Sequence, residues 1–191
     1  MQLITQRLLL RPVTLSDAPA VFAYSKHEQV GPNAGWKPHE SIEETTAILK
    51  EIFVGQESVF GIELRETGGL IGTAGLIGDP KRENEQTRML GYALAWEYWG
   101  KGLMTEAVQA LLWYGFEELG LALVSAYCYP HNSRSRRVLQ KCGFVYEGRL
   151  RLCERLYNGQ ILDNECYALE SQAARTAAWY QNSGVLLEAD R

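Results

Sequence analysis

Apolar positions recur at two different spacings along this chain. The change from one to the other is sharpest across residues 94–107, LAWEYWGKGLMTEA. The run from Met89 to Leu94 is apolar and strand-like. Met104, Val108, Leu111, Leu112, Gly115 and Leu119 then fall at helical spacing, so one stripe of a long helix faces a core. Glu106, Gln109, Trp113 and Glu117 lie on another side of that helix, and Gly120 fits its C-terminal stop. The turn between strand and helix holds Gly100 and Gly102.

The same patterns order the rest of the chain. Gln2 to Arg11 reads as one strand ended by Pro12. Thr14 or Ser16 caps a short helix from Asp17 to about Lys26. Val30 to Glu40 carries Gly31, Pro32, Gly35 and Pro38 and reads as a loop. Ser41-Ile-Glu-Glu44 is a capping box, opening a helix that ends near Gly55. Val59 to Arg65 and Leu70 to Ile77 are strands joined at Thr67-Gly68-Gly69. A polar loop, Asp79 to Gln86, precedes the strand Thr87 to Ala95. Ala122 to Tyr129 alternates as a strand and stops at Pro130. Asn132 or Ser133 caps a helix whose inner face holds Ser135, Val138, Leu139 and Cys142, with Gly143 as its left-handed stop. Phe144 to Leu156 and Ile161 to Leu169 form a hairpin closed at Asn158-Gly159. The order βααβββαβαββ predicts an α/β (α+β) fold, a mixed sheet flanked by helices. Residues 1–170 make one domain and 171–191 a tail, helical to about Asn182. Packing on the domain, a homodimer interface and fraying are all open to that tail.

Composition narrows the class. A length of 191 residues with 46% apolar residues suits one soluble domain with a real core. The net charge of −4 argues against nucleic acid as partner and suits a cationic amine. Cys128, Cys142, Cys153 and Cys166 show no Cys-x-x-Cys spacing and have three histidines for company, so no metal is expected. Buried free thiols are the better reading, which fits a cytoplasmic protein. No stretch has the length of a membrane span or the h-region of a signal peptide, and no membrane partner is expected.

The strand–glycine turn–helix junction is an anion site in outline. The first N–H groups of a helix lack internal partners, and the macrodipole favours negative charge there. Lys101 adds a cation, or is simply a solvated surface charge. No dinucleotide fingerprint or P-loop is present. A second stretch, Asn132 to Phe144, NSRSRRVLQKCGF, changes the picture. Together, Trp99-Gly-Lys-Gly-Leu-Met104 and this Asn-x-x-Ser…Gly-Phe motif resemble the GCN5-related N-acetyltransferases. Within them the closest likeness is to the RimJ/RimL-like ribosomal-protein N-terminal acetyltransferase branch. Gly102 meets the family's pyrophosphate motif strictly, whereas Trp99 and Met104 depart from it in a way typical of the branch.

The resemblance implies a GNAT-like fold whose fourth and fifth strands, in the order above, splay around acetyl-CoA as cosubstrate. It assigns pyrophosphate to Trp99, Gly100, Lys101, Gly102, Leu103, Met104 and Thr105, and the thioester to the backbone of Leu94. Asn132 contacts the pantetheine arm in the family; as an N-cap it has a second explanation. Leu139 stands where many relatives keep a tyrosine acid, and in the closer branch the serine here numbered 135 serves instead. A serine bonded back to its own helix is the other reading of Ser135. Glu154 matches the branch's base, with Glu147 and Glu165 as rivals. One of Arg134, Arg136 and Arg137 meets a ribose phosphate, or all three are solvated. The loop 33–39 lies where the family recognises acceptors, so Trp36 walls the acceptor site or anchors the loop. The implied function is acetyl-CoA-dependent transfer to a primary amine by direct attack, with a protein or peptide N-terminus as the branch acceptor. A polyamine or aminoglycoside-like amine is the alternative acceptor, and a non-catalytic acyl-CoA-binding module the alternative function.

Overall fold

The computed structural model describes residues 1–189. The N-terminal apolar run makes two strands rather than one, β1 (Gln2–Ile4) and β2 (Leu8–Pro12). Thr5 turns the chain: its N–H donates to the Leu8 carbonyl at 2.9 Å, and its hydroxyl accepts the Leu8 N–H at 3.0 Å. Leu3, Leu8 and Leu10 are all fully buried, so apolar alternation runs through this hairpin and hides the turn. A 3₁₀ turn leads into α1 (Ala18–Ser25). The glycine- and proline-rich loop contains one helical turn, α2 (Gly31–Ala34), with Pro32 in its first positions, where a missing N–H costs nothing. α3 (Ile42–Ile48) begins at Ser41, whose hydroxyl accepts the Glu44 N–H at 3.1 Å. The Glu44 carboxylate takes the Glu40 N–H, one residue upstream of the expected box partner. A π-helical turn, Leu49–Phe53, ends this helix.

The remaining elements are β3 (Val59–Leu64), β4 (Gly69–Ile77), β5 (Thr87–Leu94), α4 (Leu103–Glu117), β6 (Leu123–Cys128), α5 (Ser133–Lys141), β7 (Val145–Arg155) and β8 (Ile161–Glu170). In the tail, α6 (Ser171–Thr176) and α7 (Ala178–Gln181) are followed by β9 (Leu186–Glu188), which pairs antiparallel with β1 at the sheet edge. Tyr180 packs against Phe116 of α4 and its phenol donates to Glu117. The tail is therefore held against the body of the protein at two places.

One mixed sheet results, in the order β7-β8-β6-β5-β4-β3-β2-β1-β9, with the β5–β6 pair parallel. The core divides across it. α4 buries Ala107, Val108, Leu111 and Leu112 on one face, and Val21, Tyr24 and Leu49 pack on the other with Ala93 and Ala95. β5 and β6 pair only from Thr87↔Leu123 to Leu90↔Ala126. Beyond that point β5 stays with β4, and β6 stays with β8. A gap opens between the two central strands, and the site is built around it.

Candidate active site

The backbone at the gap follows from the sheet register. Ala95 donates its N–H to the Ile71 carbonyl at 2.8 Å, so Leu94↔Gly72 is a pair without mutual hydrogen bonds. The Leu94 N–H and C=O therefore face away from β4, towards the gap. The carbonyl accepts the Trp99 indole N–H at 2.8 Å, which leaves the N–H as the polar group directed into the gap. Gly100 and Gly102 take the left-handed conformation, φ +78° and +76°. An added Cβ would meet nothing within 4 Å at Gly100, and only the Arg7 guanidinium at Gly102. Glycine is required here by backbone conformation, and the space beside it stays open. The turn is braced from the β1–β2 hairpin. Arg7 donates to the Glu106 carboxylate at 2.6 Å and to the Lys101 carbonyl at 3.0 Å, and Thr5 donates to Glu106 at 2.7 Å. Burial pushes the Glu106 carboxyl up, but the donors from Thr5 and Arg7 hold it below its ordinary range.

A cavity of about 300 Å³ lies against this turn. It is lined by Leu94, Trp99, Gly100, Gly102, Leu103, Met104 and Thr105 on one side, and by Asn132, Arg134, Ser135 and Arg137 on the other. Lys101 is absent from the lining; its ammonium sits 5.1 Å from the Tyr98 ring centroid. The Arg134 guanidinium stacks 5.0 Å over the Trp99 ring, whereas Arg136 is bound to Glu165 and the Pro130 carbonyl.

A second cavity of about 690 Å³ opens on the α1–α3 face, and Tyr92, Asn132 and Ser135 line both. Asn132 does cap α5, accepting the Ser135 N–H at 3.0 Å, and its amide also donates to the Asn33 carbonyl at 3.1 Å. That bond ties the loop holding Trp36 to the junction. The Ser135 hydroxyl meets the Tyr92 phenol at 2.8 Å. Burial pushes the Tyr92 phenol well above its ordinary pKa, so it keeps its proton.

Glu154 and Trp36 line the larger cavity. A bulge between Leu150 and Glu154 sets Glu154 opposite Leu162, with Leu152 at φ +50°. Glu154 accepts the Tyr129 phenol at 2.6 Å and the Asn164 amide at 2.9 Å, and both donors are buried. Gly35, φ +93°, lies so close that an added Cβ would stand 2.8 Å from the Tyr129 hydroxyl. Trp36 packs the edge of its indole on Gly31, and its indole N–H is buried without a partner. The rival carboxylates sit elsewhere: Glu147 pairs with Arg82, and Glu165 with Arg136 and Arg149. Burial pushes the Cys128 thiol, on the same lining, up to about 11, so it is not a thiolate at neutral pH. Among the described residues no cluster of His, Cys, Asp or Glu could hold a metal ion, and no helix is long and apolar enough to cross a membrane.

Tyr92, Tyr129 and Asn164 went unnoticed in the sequence because their partners lie 43, 25 and 10 residues away, at no motif spacing. The bulge in β7 is likewise a feature of pairing, without a glycine or proline at Leu152 to announce it.

Comparison with known proteins bears on the family and the fold. A family model described as Acetyltransferase (GNAT) domain matches residues 7–145. The uncharacterized N-acetyltransferase YoaA of Bacillus subtilis (strain 168) is 33% identical over 170 residues, covering 86% of this chain and 94% of that protein. The solved acetyltransferase (GNAT family) from Bacillus anthracis matches with a TM-score of 0.79 at 28% identity, over 90% of this chain and 99% of that one. Spermidine N-acetyltransferase from Vibrio cholerae, solved in complex with CoA and spermine, shares the fold with a TM-score of 0.75 at 21% identity, over 89% and 99% of the two chains. The family's cosubstrate is acetyl-CoA, and the chain belongs to the GNAT acetyltransferases as an N-acetyltransferase.

Proposed function

We propose that this enzyme acetylates a primary amine by direct attack, with Glu154 as base and Ser135 as acid, and that a protein or peptide N-terminus is an acceptor. The observation that carries the reading is the meeting of two cavities at Ser135. One is bounded by the glycine turn and the other holds Glu154. The open space beside Gly100 and Gly102, both exposed just before the N-terminus of α4, suits a pyrophosphate. Leu94, Trp99, Gly100, Gly102, Leu103, Met104, Thr105 and Asn132 would hold the cosubstrate. When bound, acetyl-CoA supplies an activated acetyl group and a thiolate leaving group.

The chain's own residues supply the rest. The Leu94 N–H is fixed by the sheet before any ligand arrives, and preorganised donors of this kind contribute several kcal/mol to acyl transfer, on the order of 3–4 for a single donor. Glu154 takes the proton of the incoming ammonium, directly or through water. Tyr129 and Asn164 occupy one lone pair on each of its oxygens and set its direction. Ser135 delivers a proton at the junction, with Tyr92 behind it. Cys128 keeps its proton at neutral pH, so its thiol is not poised to carry an acetyl group. The branch resemblance at Tyr98-Trp-Gly-Lys-Gly102 favours an N-terminal acceptor. A free α-amine, pKa about 7.7–8.0, also needs less help from a base than a lysine. All four cysteines are free, and we infer a reducing, cytoplasmic setting.

Release of coenzyme A, measured over a panel of peptides and amines, tests the activity. Glu154→Gln keeps the size but removes the basic site, and its one amide oxygen can accept from only one of Tyr129 and Asn164. We expect kcat to fall by roughly 10²-fold at neutral pH, with the deficit shrinking at high pH and acetyl-CoA affinity unchanged. Wild-type turnover by Glu154→Gln on a verified acceptor would remove Glu154 from this role.

A further inference from the structure

The larger cavity also carries information about the acceptor's chemistry. We infer that the acceptor has one positive charge beside an apolar body, and that polyamines are poor substrates. This rests on the reading of Glu154 as the group that meets the amine. Among the described residues lining this cavity, Glu154 is the one carboxylate. The cation there is Lys81, whose ammonium stands 3.8 Å from the Tyr127 ring centroid. Burial lowers the pKa of His39, the other basic group on the lining, so it is neutral at pH 7. One ammonium is matched by one carboxylate. A second or third ammonium on the same molecule would find no second carboxylate on the lining, only apolar side chains, neutral hydroxyls and amides, and Lys81.

The walls supply the apolar body's partners. Ile48, Ile52, Phe53, Ile77 and Met89 line the cavity, and Ile52 and Ile77 leave 53% and 43% of their surface uncovered. Scattered exposed apolar residues are ordinary, but these two border the same opening.

The floor points the same way. Gly75 and Gly91 face each other across β4 and β5. Gly75 is explained by packing, since an added Cβ would stand 2.9 Å from the Val59 side chain. Gly91 is not: an added Cβ would meet nothing within 4 Å, and its φ is not positive. Glycine in mid-strand weakens a sheet and often marks a place where a ligand approaches closely. Gly91 shares one side of β5 with Met89 and Ala93, so its vacant side lies on the α1–α3 face, where Ala93 packs. The geometry assigns that space to the acceptor's body.

The test is calorimetric, on the protein saturated with coenzyme A, so that binding is read without turnover. The amines are phenethylamine, a tripeptide amide beginning with leucine, and spermidine. At least one of the first two should bind ten times more tightly than spermidine, and the tighter of them names the source. Gly91→Val should weaken that binding at least tenfold, with coenzyme A affinity and Tm no lower than wild type, because valine suits a strand. Spermidine binding as tightly as the monoamines, or no amine binding at all, overturns the inference. Gly91→Val binding like wild type overturns the assignment of the floor. Coenzyme A release is scored separately with acetyl-CoA. Selective binding without release would leave this inference standing and remove the catalytic reading of Glu154.

Discussion

Ser135 and Tyr92 illustrate how much a single contact changes a residue's chemistry. A serine in the first turn of a helix ordinarily bonds to its own backbone. Here the hydroxyl meets a phenol from β5 at 2.8 Å, and the same phenol lies 3.3 Å from the Ser135 carbonyl. The phenol's raised pKa keeps a proton available behind the serine throughout the neutral range. Ser135→Ala and Tyr92→Phe should each lower kcat, by about 10²-fold if the pair acts as a proton donor. The double variant should be no worse than the poorer single one, because residues acting as a unit are not additive. Acetyl-CoA affinity should not move in any of the three. Wild-type turnover by Ser135→Ala would mean that water protonates the leaving group and that Ser135 is a helix residue only.

At the scale of elements, the glycine turn and the start of α4 act together. The turn is held from outside by Arg7 and Glu106, so its backbone does not have to be ordered by a ligand. Gly102→Ala and Gly102→Trp share one defect, a side chain at φ +76°, with a cost on the order of 1–3 kcal/mol. They differ in volume. Calorimetry should find acetyl-CoA affinity within a few fold of wild type for the alanine variant and no binding for the tryptophan variant, with both proteins folded. Equal affinity in the two would show that phosphate does not occupy the space beside Gly102. The β7 bulge makes the complementary point on the acceptor side. The two extra residues that β7 carries opposite Asp163 leave Glu154 on the same face but shift it two places along the strand, opposite Leu162 instead of past the start of β8.

For the molecule as a whole, stability should depend on pH in two stages. Asp17, Asp79, Glu106 and Glu165 are each pushed up most by burial but held below the ordinary range by several donors acting together, among them Arg11, Ser125, Thr5 and Arg149. A folded pKa below the unfolded value means stability that is present above ordinary carboxylate values, 3.8 to 4.5, and lost as pH falls through the folded pKa. His39 is lowered by burial from 6.5, so the unfolded chain binds the extra proton first as pH falls. Unfolding free energy from urea titrations should be flat from about 6.5 to about 8.5, decline gently below that range, and fall steeply below about 4.5. His39→Gln should remove the gentle limb alone. A gentle limb unchanged in that variant would assign it to another group.

The sequence by itself determined the element order from β3 to β8 and the core-facing stripe of α4, because burial on one side of a helix or strand leaves a period in the chain. It also marked the glycine turn, the Asn132 cap and the family, since these are local chemistry at fixed spacing. Only the tertiary structure decided that Tyr92 backs Ser135, that Tyr129 and Asn164 direct Glu154, and that the Lys101 side chain stands apart from the cavity. It also decided that the first apolar run folds into two strands and that the tail returns to pair with β1. These are contacts between residues far apart in the chain. Their energies depend on distance and burial, and neither leaves a pattern in the order of the residues.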